Sequence, residues 1–242
     1  MQNLKSVLPP PFKTKLRRWR RWAFESVGSE RYSRPALGGI DRKLERHLDF
    51  DGGFFVEAGA NDGYEQSNTY YFEKLRRWTG VLIEPVPALA VECRRNRGVP
   101  VVEAALVARE SPGRMVELQF AGLMSILSEA RADAAAVTEH VRKGVEVQGL
   151  QGTYCLQVRA RTLSSILDEV GMRGPIDLLS LDVEGAEVAA LEGIDFGRHA
   201  PQFICVEARE RAKIESVLGA GYELVEVLTE KGEYQDVLYR RR

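Results

Sequence analysis

The stretch FFVEAGANDGYEQSNTYYFE, residues 54–73, decides the fold. An apolar run ends at Glu57, breaks into a turn that contains Gly59 and Gly63, and resumes with the periodicity of a helix. A buried strand, a glycine turn and a helix form the start of a βαβ unit, in which the turn lies at the ligand edge of the sheet. The stretch therefore predicts a ligand site at the carboxyl end of the first strand.

Apolar strands and helical segments alternate along the rest of the chain. Continuous apolar strands of this kind belong to a parallel sheet that is covered on both faces. Two terminal segments, YELVEVL and QDVLYRR, are joined by a short polar turn and must run antiparallel. The sequence predicts an α/β, doubly wound, mostly parallel sheet with a C-terminal hairpin and with strands at 53–59, 79–85, 99–107, 176–182 and 202–207.

The chain divides into two predicted parts. Residues 1–45 form a basic N-terminal helical arm, and residues 46–242 form one domain. The domain carries an insertion at about 110–160, which we predict to lie over the ligand edge of the sheet. Within the insertion the patterns predict an exposed strand at 114–120, a helix at 125–143 and a strand pair at 146–161.

Composition excludes several classes of protein. The net charge of −1 and the pI of about 6.4 argue against nucleic acid as a partner. Cys93, Cys155 and Cys205 are odd in number and lack metal-ligand spacing, which predicts reduced thiols in a cytoplasmic protein. The chain shows no apolar run of membrane-spanning length and no apolar segment typical of a signal peptide at its N-terminus.

The N-terminal arm is strongly basic. Residues 1–24 carry seven lysines and arginines and no acid, and Phe12, Leu16, Trp19 and Ala23 recur at helical spacing. One interpretation is an amphipathic helix that contacts an anionic membrane or an acidic partner through residues 1–30. The other, which the sequence favours, is an arm that packs on the domain or on a homodimer mate and keeps its charges in water.

The glycine turn does not suit a dinucleotide. A diphosphate needs a middle glycine for close backbone approach, and Asn61 takes that place. Glu57 would repel phosphate and attract a cation, which suits the sulfonium and ammonium groups of S-adenosylmethionine. Glu84 ends the second strand, 21 residues after Gly63, where an acid can accept hydrogen bonds from both ribose hydroxyls.

A third group of acids follows the fourth strand, in LLSLDVEGAE at residues 178–187. Asp182 and Glu184 would face the same crevice as Glu57 if the fourth strand lies beside the first. Glu207 ends the next strand and would point to the same edge. The alternative is an acid-rich helix start that complements the helix dipole.

Three segments, FFVEAGANDGYEQSNTYYFE, WTGVLIEPVP and IDLLSLDVEGAEVAALEG, resemble the FkbM family of S-adenosylmethionine-dependent methyltransferases over about residues 50–240. The resemblance implies a seven-stranded Rossmann-like sheet and methyl transfer, usually to oxygen, on sugars, polyketides or other acceptors. We predict that S-adenosylmethionine contacts the following residues: Glu57, Gly59, Ala60, Asn61, Asp62, Gly63, Asn68, Glu84, Pro85, Ala104 and Asp182.

A hydroxyl acceptor loses a proton during methyl transfer, so a base or a metal would assist. The predicted catalytic residues are Asp182, Glu184 and Glu207. Asp182 and Glu207 could share a divalent metal, but a metal-free route is expected because two strand ends alone make a thin site. His140 is expected to be exposed, although it could reach the acceptor.

Further candidates and rival functions stay open at this point. Tyr64 could touch the ligand, and the acceptor entrance could be lined by Phe120, Met124 and Ser125. One rival is a nucleotide-dependent oxidoreductase on the same sheet, which Asn61 and the terminal hairpin disfavour. The other is a non-catalytic module that only binds S-adenosylmethionine.

Overall fold

The computed structural model of the chain describes residues 10–109, 113–128 and 134–242. Within them the helices are α1 (Pro10–Glu25), α2 (Ile40–Glu45), α3 (Tyr70–Leu75), α4 (Pro87–Asn96), α5 (Ala134–Gln148), α6 (Leu163–Glu169), α7 (Glu187–Glu192) and α8 (Arg211–Leu218). The strands are β1 (Phe54–Ala58), β2 (Thr79–Ile83), β3 (Val101–Val102), β4 (Ala105–Leu106), β5 (Met115–Phe120), β6 (Ile126–Leu127), β7 (Tyr154–Arg161), β8 (Ile176–Leu181), β9 (Pro201–Ala208), β10 (Tyr222–Lys231) and β11 (Tyr234–Arg241).

Seven strands form the main sheet in the order β10-β11-β9-β8-β1-β2-β3. All neighbours are parallel except β11, which runs antiparallel to both β9 and β10. The strand order reverses between β1 and β8, so a crevice opens at their carboxyl ends. The predicted fold, a doubly wound, Rossmann-like, seven-stranded α/β sheet with an antiparallel C-terminal hairpin strand, is confirmed.

The sheet buries both of its faces, as the continuous apolar strands predicted. Successive side chains of a strand point to opposite sides. Val56 therefore packs with Leu167 and Leu191, from α6 and α7, in one core cluster. Phe55 packs on the other face with Phe72 of α3, in a second cluster.

The predicted strand at 99–107 is wrong as a single element. It divides into β3, on the edge of the main sheet, and β4, which pairs with β7 in a second sheet of order β4-β7-β5-β6. A chain that leaves one sheet for another must break its ladder, and Glu103 and Ala104 form that break.

The insertion also differs from its prediction. The strand pair at 146–161 is wrong, because α5 continues to Gln148 and Gly149 follows it at φ +61, a common way to end a helix. Only β7 remains as a strand there. The helix predicted at 125–143 is instead β6 followed, in the described residues, by α5, while residues 129–133 lie outside them. The strand predicted at 114–120 is β5.

Helix α1 lies against α4 and the loop that follows β1. Arg21 stacks over the Tyr64 ring at 3.6 Å and donates a hydrogen bond to Asn96 at 2.8 Å. Residues 1–9 of the predicted arm lie outside the described residues. Residues 40–45, assigned to the arm by the sequence, form α2, which buries Leu44 in the second core cluster. No helix in the described residues is long and apolar enough to cross a membrane.

Candidate active site

A cavity of about 340 Å³ opens at the carboxyl ends of β1, β2, β8 and β9, beneath the insertion. This is the switch point where ligands bind in sheets of this topology. Its wall includes eight of the eleven predicted cofactor residues: Glu57, Gly59, Asn61, Asn68, Glu84, Pro85, Ala104 and Asp182. Glu184 and Glu207, the other predicted catalytic residues, line it as well.

The remaining three predicted cofactor residues, Ala60, Asp62 and Gly63, are not among the residues that line the cavity. Asp62 accepts hydrogen bonds from the backbone N–H groups of Tyr64 and Glu65 at 2.8 and 2.7 Å. Gly63 has φ +77, and a Cβ there would meet two side chains, that of Arg97 and that of one residue of α4. In the structure these residues shape the loop that presents Asn61.

Glu57 organises the loop that leads into α3. Its carboxylate accepts hydrogen bonds from Ser67 Oγ at 2.9 Å, Asn68 N at 2.8 Å and Thr69 Oγ1 at 2.7 Å. Arg97 Nη1, whose side chain is fully buried, donates a fourth at 3.1 Å. From the sequence, Glu57 was expected to attract the positive charge of the cofactor. In the structure, the positive charge beside Glu57 is the Arg97 guanidinium. A contact between Glu57 and the cofactor stays a prediction.

Glu84 is held by the backbone on both sides. Its Oε2 accepts the N–H of Asn61 at 2.7 Å and its Oε1 accepts the N–H of Val86 at 2.9 Å. Burial raises the pKa of Glu84 to about 7, against the opposing effect of these two hydrogen bonds. Each carboxylate oxygen can accept a second hydrogen bond. Glu84 is therefore oriented to receive two hydroxyl groups from a ligand in the cavity.

The turn after β8 presents two acids and uses a third to hold its shape. The buried Glu187 carboxylate accepts the N–H groups of Val183 at 3.2 Å and Gly185 at 2.9 Å. Glu184 adopts φ +52, a strained conformation for a residue with a side chain, of the kind that collects at functional sites. The D-V-E-G-A-E pattern thus brings Asp182 and Glu184 to the cavity and commits Glu187 to the backbone.

The turns after β1 and β8 touch through Gly59. This glycine has φ +83, and a Cβ there would overlap the carbonyl oxygen of Asp182. Gly63, in the same turn, also has a positive φ. The group that excludes a side chain at Gly59 is the neighbouring turn.

Asp182, Glu184 and Glu207 form an acid cluster, with ligand oxygens within 4.8 Å of one another. Arg209 Nη2 lies 2.8 Å from Glu184 and 2.5 Å from Glu207, and His140 Nε2 lies 3.3 Å from Glu184. One guanidinium therefore neutralises two members of the cluster.

Two members of the cluster, Asp182 and Glu207, bind protons more tightly than ordinary carboxylates do. Burial, followed by the charge of Glu184, raises the pKa of Glu207 to about 8. Burial, followed by the charge of Glu207, raises the pKa of Asp182 well above its usual range. Asp182 is open to the cavity although protein surrounds it, and none of the hydrogen bonds or ion pairs among the described residues involves its carboxylate. It is the member of the cluster best placed to receive a proton.

The expectation that His140 is exposed is wrong. It is 5% exposed, because α5 folds back over the sheet edge and brings it to Glu184. Met124 and Ser125 line the cavity, whereas Phe120 stacks on Tyr154 with ring centroids 4.7 Å apart.

The predicted ligand contact of Tyr64 is not supported by its position. Its ring lies under Arg21, and its hydroxyl donates to the Tyr32 carbonyl at 2.9 Å. Tyr70 and Tyr71, on α3, are buried.

Several residues of the cavity wall were missed by sequence reasoning, including Gln148, Arg209, Lys231, Tyr234 and Asp236. Arg209 follows Glu207 by two residues, so the rule that located the strand-end acids could have found it. The terminal hairpin supplies Lys231, Tyr234 and Asp236, and no local motif marks a hairpin as part of a site.

Known proteins resemble this chain in sequence and in structure. A family model described as the methyltransferase FkbM domain matches residues 57–233. "Methyltransferase 1" of Beauveria bassiana (strain ARSEF 2860) is 29% identical over 153 residues, which span 60% of this chain and 59% of that protein.

Two solved structures are similar to this chain at low sequence identity. A putative methyltransferase, yhhF, from Escherichia coli is 15% identical, covers 86% of this chain and 87% of its own, and has a TM-score of 0.43. A precorrin-6y C5,15-methyltransferase from Geobacter metallireducens GS-15 is 13% identical over 84% and 87%, with a TM-score of 0.44. On the family match, which spans most of its length, the chain belongs to the FkbM family of methyltransferases.

Proposed function

We propose that the chain transfers a methyl group from S-adenosylmethionine to a hydroxyl oxygen of a sugar, polyketide or other small-molecule or glycan acceptor. The observation that carries the proposal is the position of Asp182. The Asp182 carboxylate is open to the cavity, and its pKa is raised. It lies next to the Gly59 turn, where the cofactor would bind. Family membership supports methyl transfer, and a carboxylate base at the cavity supports an acceptor that must lose a proton.

The first half of the cavity fits S-adenosylmethionine. Glu84 would accept hydrogen bonds from the two ribose hydroxyls, because both of its oxygens are held in place by backbone N–H groups. Gly59, Asn68 and Glu57 would border the amino-acid part of the cofactor. Pro85 and Ala104 line the same wall and would border the adenine.

In the reaction the acceptor oxygen attacks the methyl carbon in line with the carbon–sulfur bond, which breaks as S-adenosylhomocysteine leaves. The hydroxyl proton passes to the Asp182 carboxylate. The raised pKa of Asp182 suits this role, since a base is most effective when its pKa approaches the working pH. The protein would otherwise act by positioning the two reactants and excluding water.

A metal is not needed in this scheme. Asp182, Glu184 and Glu207 lie close enough together to bind a divalent cation, and they would be its ligands. Arg209 already supplies a positive charge to Glu184 and Glu207. A cation would have to displace that guanidinium, so we propose metal-independent turnover.

The proposal is tested by turnover of the full chain against a panel of hydroxylated sugars and polyketides. Asp182→Asn should lower the rate by about 10²–10⁴-fold, the usual contribution of a general base. S-adenosylhomocysteine affinity should change little, and a chelator should have no effect. Full activity in Asp182→Asn would exclude the base. Loss of activity with chelator, restored by Mg²⁺, would exclude the metal-free route.

The rival functions give different results in the same assay. Tight cofactor binding without turnover on any acceptor would favour the non-catalytic module. The oxidoreductase has no support from the family match. We also propose a cytoplasmic location, because all three cysteines are free and Cys93 and Cys205 are buried as thiols.

A further inference from the structure

Helix α1 turns its apolar stripe away from the protein. Trp19 and Trp22 are 63% and 64% exposed and Leu16 is 48% exposed, whereas Arg21 is only 9% exposed. Helix positions 16, 19 and 23 share one face, and Arg21 lies about 200° around the helix from Trp19. An arm that packed on its own domain through this apolar stripe would bury it, but in the structure the stripe faces solvent.

The polar side of α1 holds it in place. Arg21 stacks on Tyr64 and donates to Asn96, and Arg18 pairs with Glu92 of α4 at 3.4 Å. These contacts attach α1 through its cations and leave two tryptophans without apolar cover. Two exposed tryptophans side by side are unusual on a solvated surface and mark an interaction site.

Charge decides what can cover this face. Lys15 is exposed beside the tryptophans, Arg20 is exposed at the edge of their face, and no acid occurs among residues 1–24. A second copy of the same face would bring like charges together. An anionic lipid surface offers the complement, because tryptophan rings settle at the headgroup level and lysine and arginine side chains reach the phosphates.

We propose that the outward face of α1, formed by Leu16, Trp19 and Trp22 with Lys15 and Arg20, docks on an anionic lipid membrane. The contact is peripheral and is independent of the proposed methyl transfer. It would also place the cavity near the lipid, since α1 rests on Tyr64 and the next residue, Glu65, lines the cavity.

Co-sedimentation of the full chain with vesicles tests this inference. The protein should bind vesicles that contain phosphatidylglycerol at low ionic strength, release them at high ionic strength, and ignore vesicles of phosphatidylcholine alone. Lys15→Glu with Arg20→Glu should weaken binding by about tenfold or more, since each cation near an anionic surface contributes severalfold. Trp19→Ser with Trp22→Ser should weaken it comparably.

A matched control separates local from overall charge. Arg211→Glu with Lys213→Glu changes the net charge equally on α8 and should leave vesicle binding unchanged. Tryptophan emission of the wild type should shift to shorter wavelength on vesicles. Trp78, which is 3% exposed, should show no shift in the Trp19→Ser/Trp22→Ser protein.

Three results would overturn the inference. One is failure of the wild type to bind phosphatidylglycerol vesicles at low ionic strength. Another is equal weakening by the α1 and α8 charge reversals. The last is a dimer in sedimentation velocity that only the tryptophan variant dissociates, without vesicle binding, which would show that a second copy covers the face. S-adenosylhomocysteine affinity, unchanged in every variant, confirms that each is folded.

Discussion

The acids on the two sides of the cavity differ in the hydrogen bonds that they accept. On the predicted cofactor side, every carboxylate oxygen of Glu57 and Glu84 accepts at least one hydrogen bond. On the opposite side, Asp182 accepts none from the described residues, and Glu207 contacts Arg209 without an aligned hydrogen bond. The first arrangement holds acids rigidly as acceptors for a ligand. The second arrangement leaves the Asp182 carboxylate able to take up a proton during a reaction.

The difference follows from the number of donors on each side. Glu57 and Glu84 are held by several donors on the loops that follow β1 and β2, together with Arg97 from the end of α4. Two acids on the other side share the single guanidinium of Arg209, which follows β9. Several donors can satisfy each oxygen of an acid, whereas one shared guanidinium leaves Glu207 Oε1 without an aligned donor.

The largest expected effect comes from Gly59→Val, at the contact between the two sides. The new side chain would overlap the Asp182 carbonyl and would also need a positive φ, so S-adenosylhomocysteine binding should be abolished. Calorimetry measures this. Gly52→Val is the matched control, since Gly52 has φ +79 but open space around it. Equal binding by both variants would show that the two turns do not depend on close contact.

Arg97→Met should destabilise the cofactor side by roughly 3–5 kcal/mol, the cost of removing one partner of a buried ion pair. It would leave Glu57 buried without a cation, whereas Glu73 would keep only the ammonium of the next residue. Arg209→Met should cost less, because Glu207 borders the cavity and its raised pKa lets it take up a proton. Urea denaturation of the two variants measures the difference, and equal losses would contradict the contrast between the sides.

Glu84→Ala should weaken S-adenosylhomocysteine binding by about 2–3 kcal/mol, the cost of two charge-assisted hydrogen bonds. The fold should survive, because Glu84 ends a strand at the cavity. Glu65→Ala, at an exposed position on the same wall, is the control and should have little effect. Unchanged affinity in folded Glu84→Ala would remove the ribose assignment.

The smallest expected effect is the pH dependence of methyl transfer at a saturating concentration of S-adenosylmethionine, where the pKa of about 7 of Glu84 does not limit cofactor binding. The methyl transfer rate should rise roughly tenfold or more from pH 6.5 to 8.5, because Asp182 and Glu207 must lose protons that burial makes them retain. A flat rate over this range would contradict a base in the cluster.

The same shifts predict the pH dependence of stability. Glu207 has a pKa of about 8 in the folded protein and an ordinary value of 4.5 in the unfolded chain. The folded state therefore binds more protons between these values, and the free energy of unfolding should fall as the pH rises from about 4.5 to 8. Glu207→Gln should flatten this slope, as thermal unfolding at several pH values would show.

Much of the fold and part of the site could be predicted from residue order. Apolar strands, glycine turns and the terminal hairpin are local patterns, and they led to the seven-stranded sheet. Glu57, Glu84, Asp182 and Glu207 were located because acids at the ends of parallel strands share one edge of the sheet. The predicted boundaries were wrong at β3 and β4, because one apolar run contributes a strand to each of two sheets.

By itself, the sequence determined that acids at the strand ends reach the cavity and that α1 carries an apolar stripe among cations. Only the tertiary structure decided the partners of those groups. Arg97 pairs with Glu57, Arg209 lies between Glu184 and Glu207, and the stripe of α1 faces outward. The physical reason is that a side chain's position along its own strand or helix is set by local periodicity. Its partner is set by how distant elements pack.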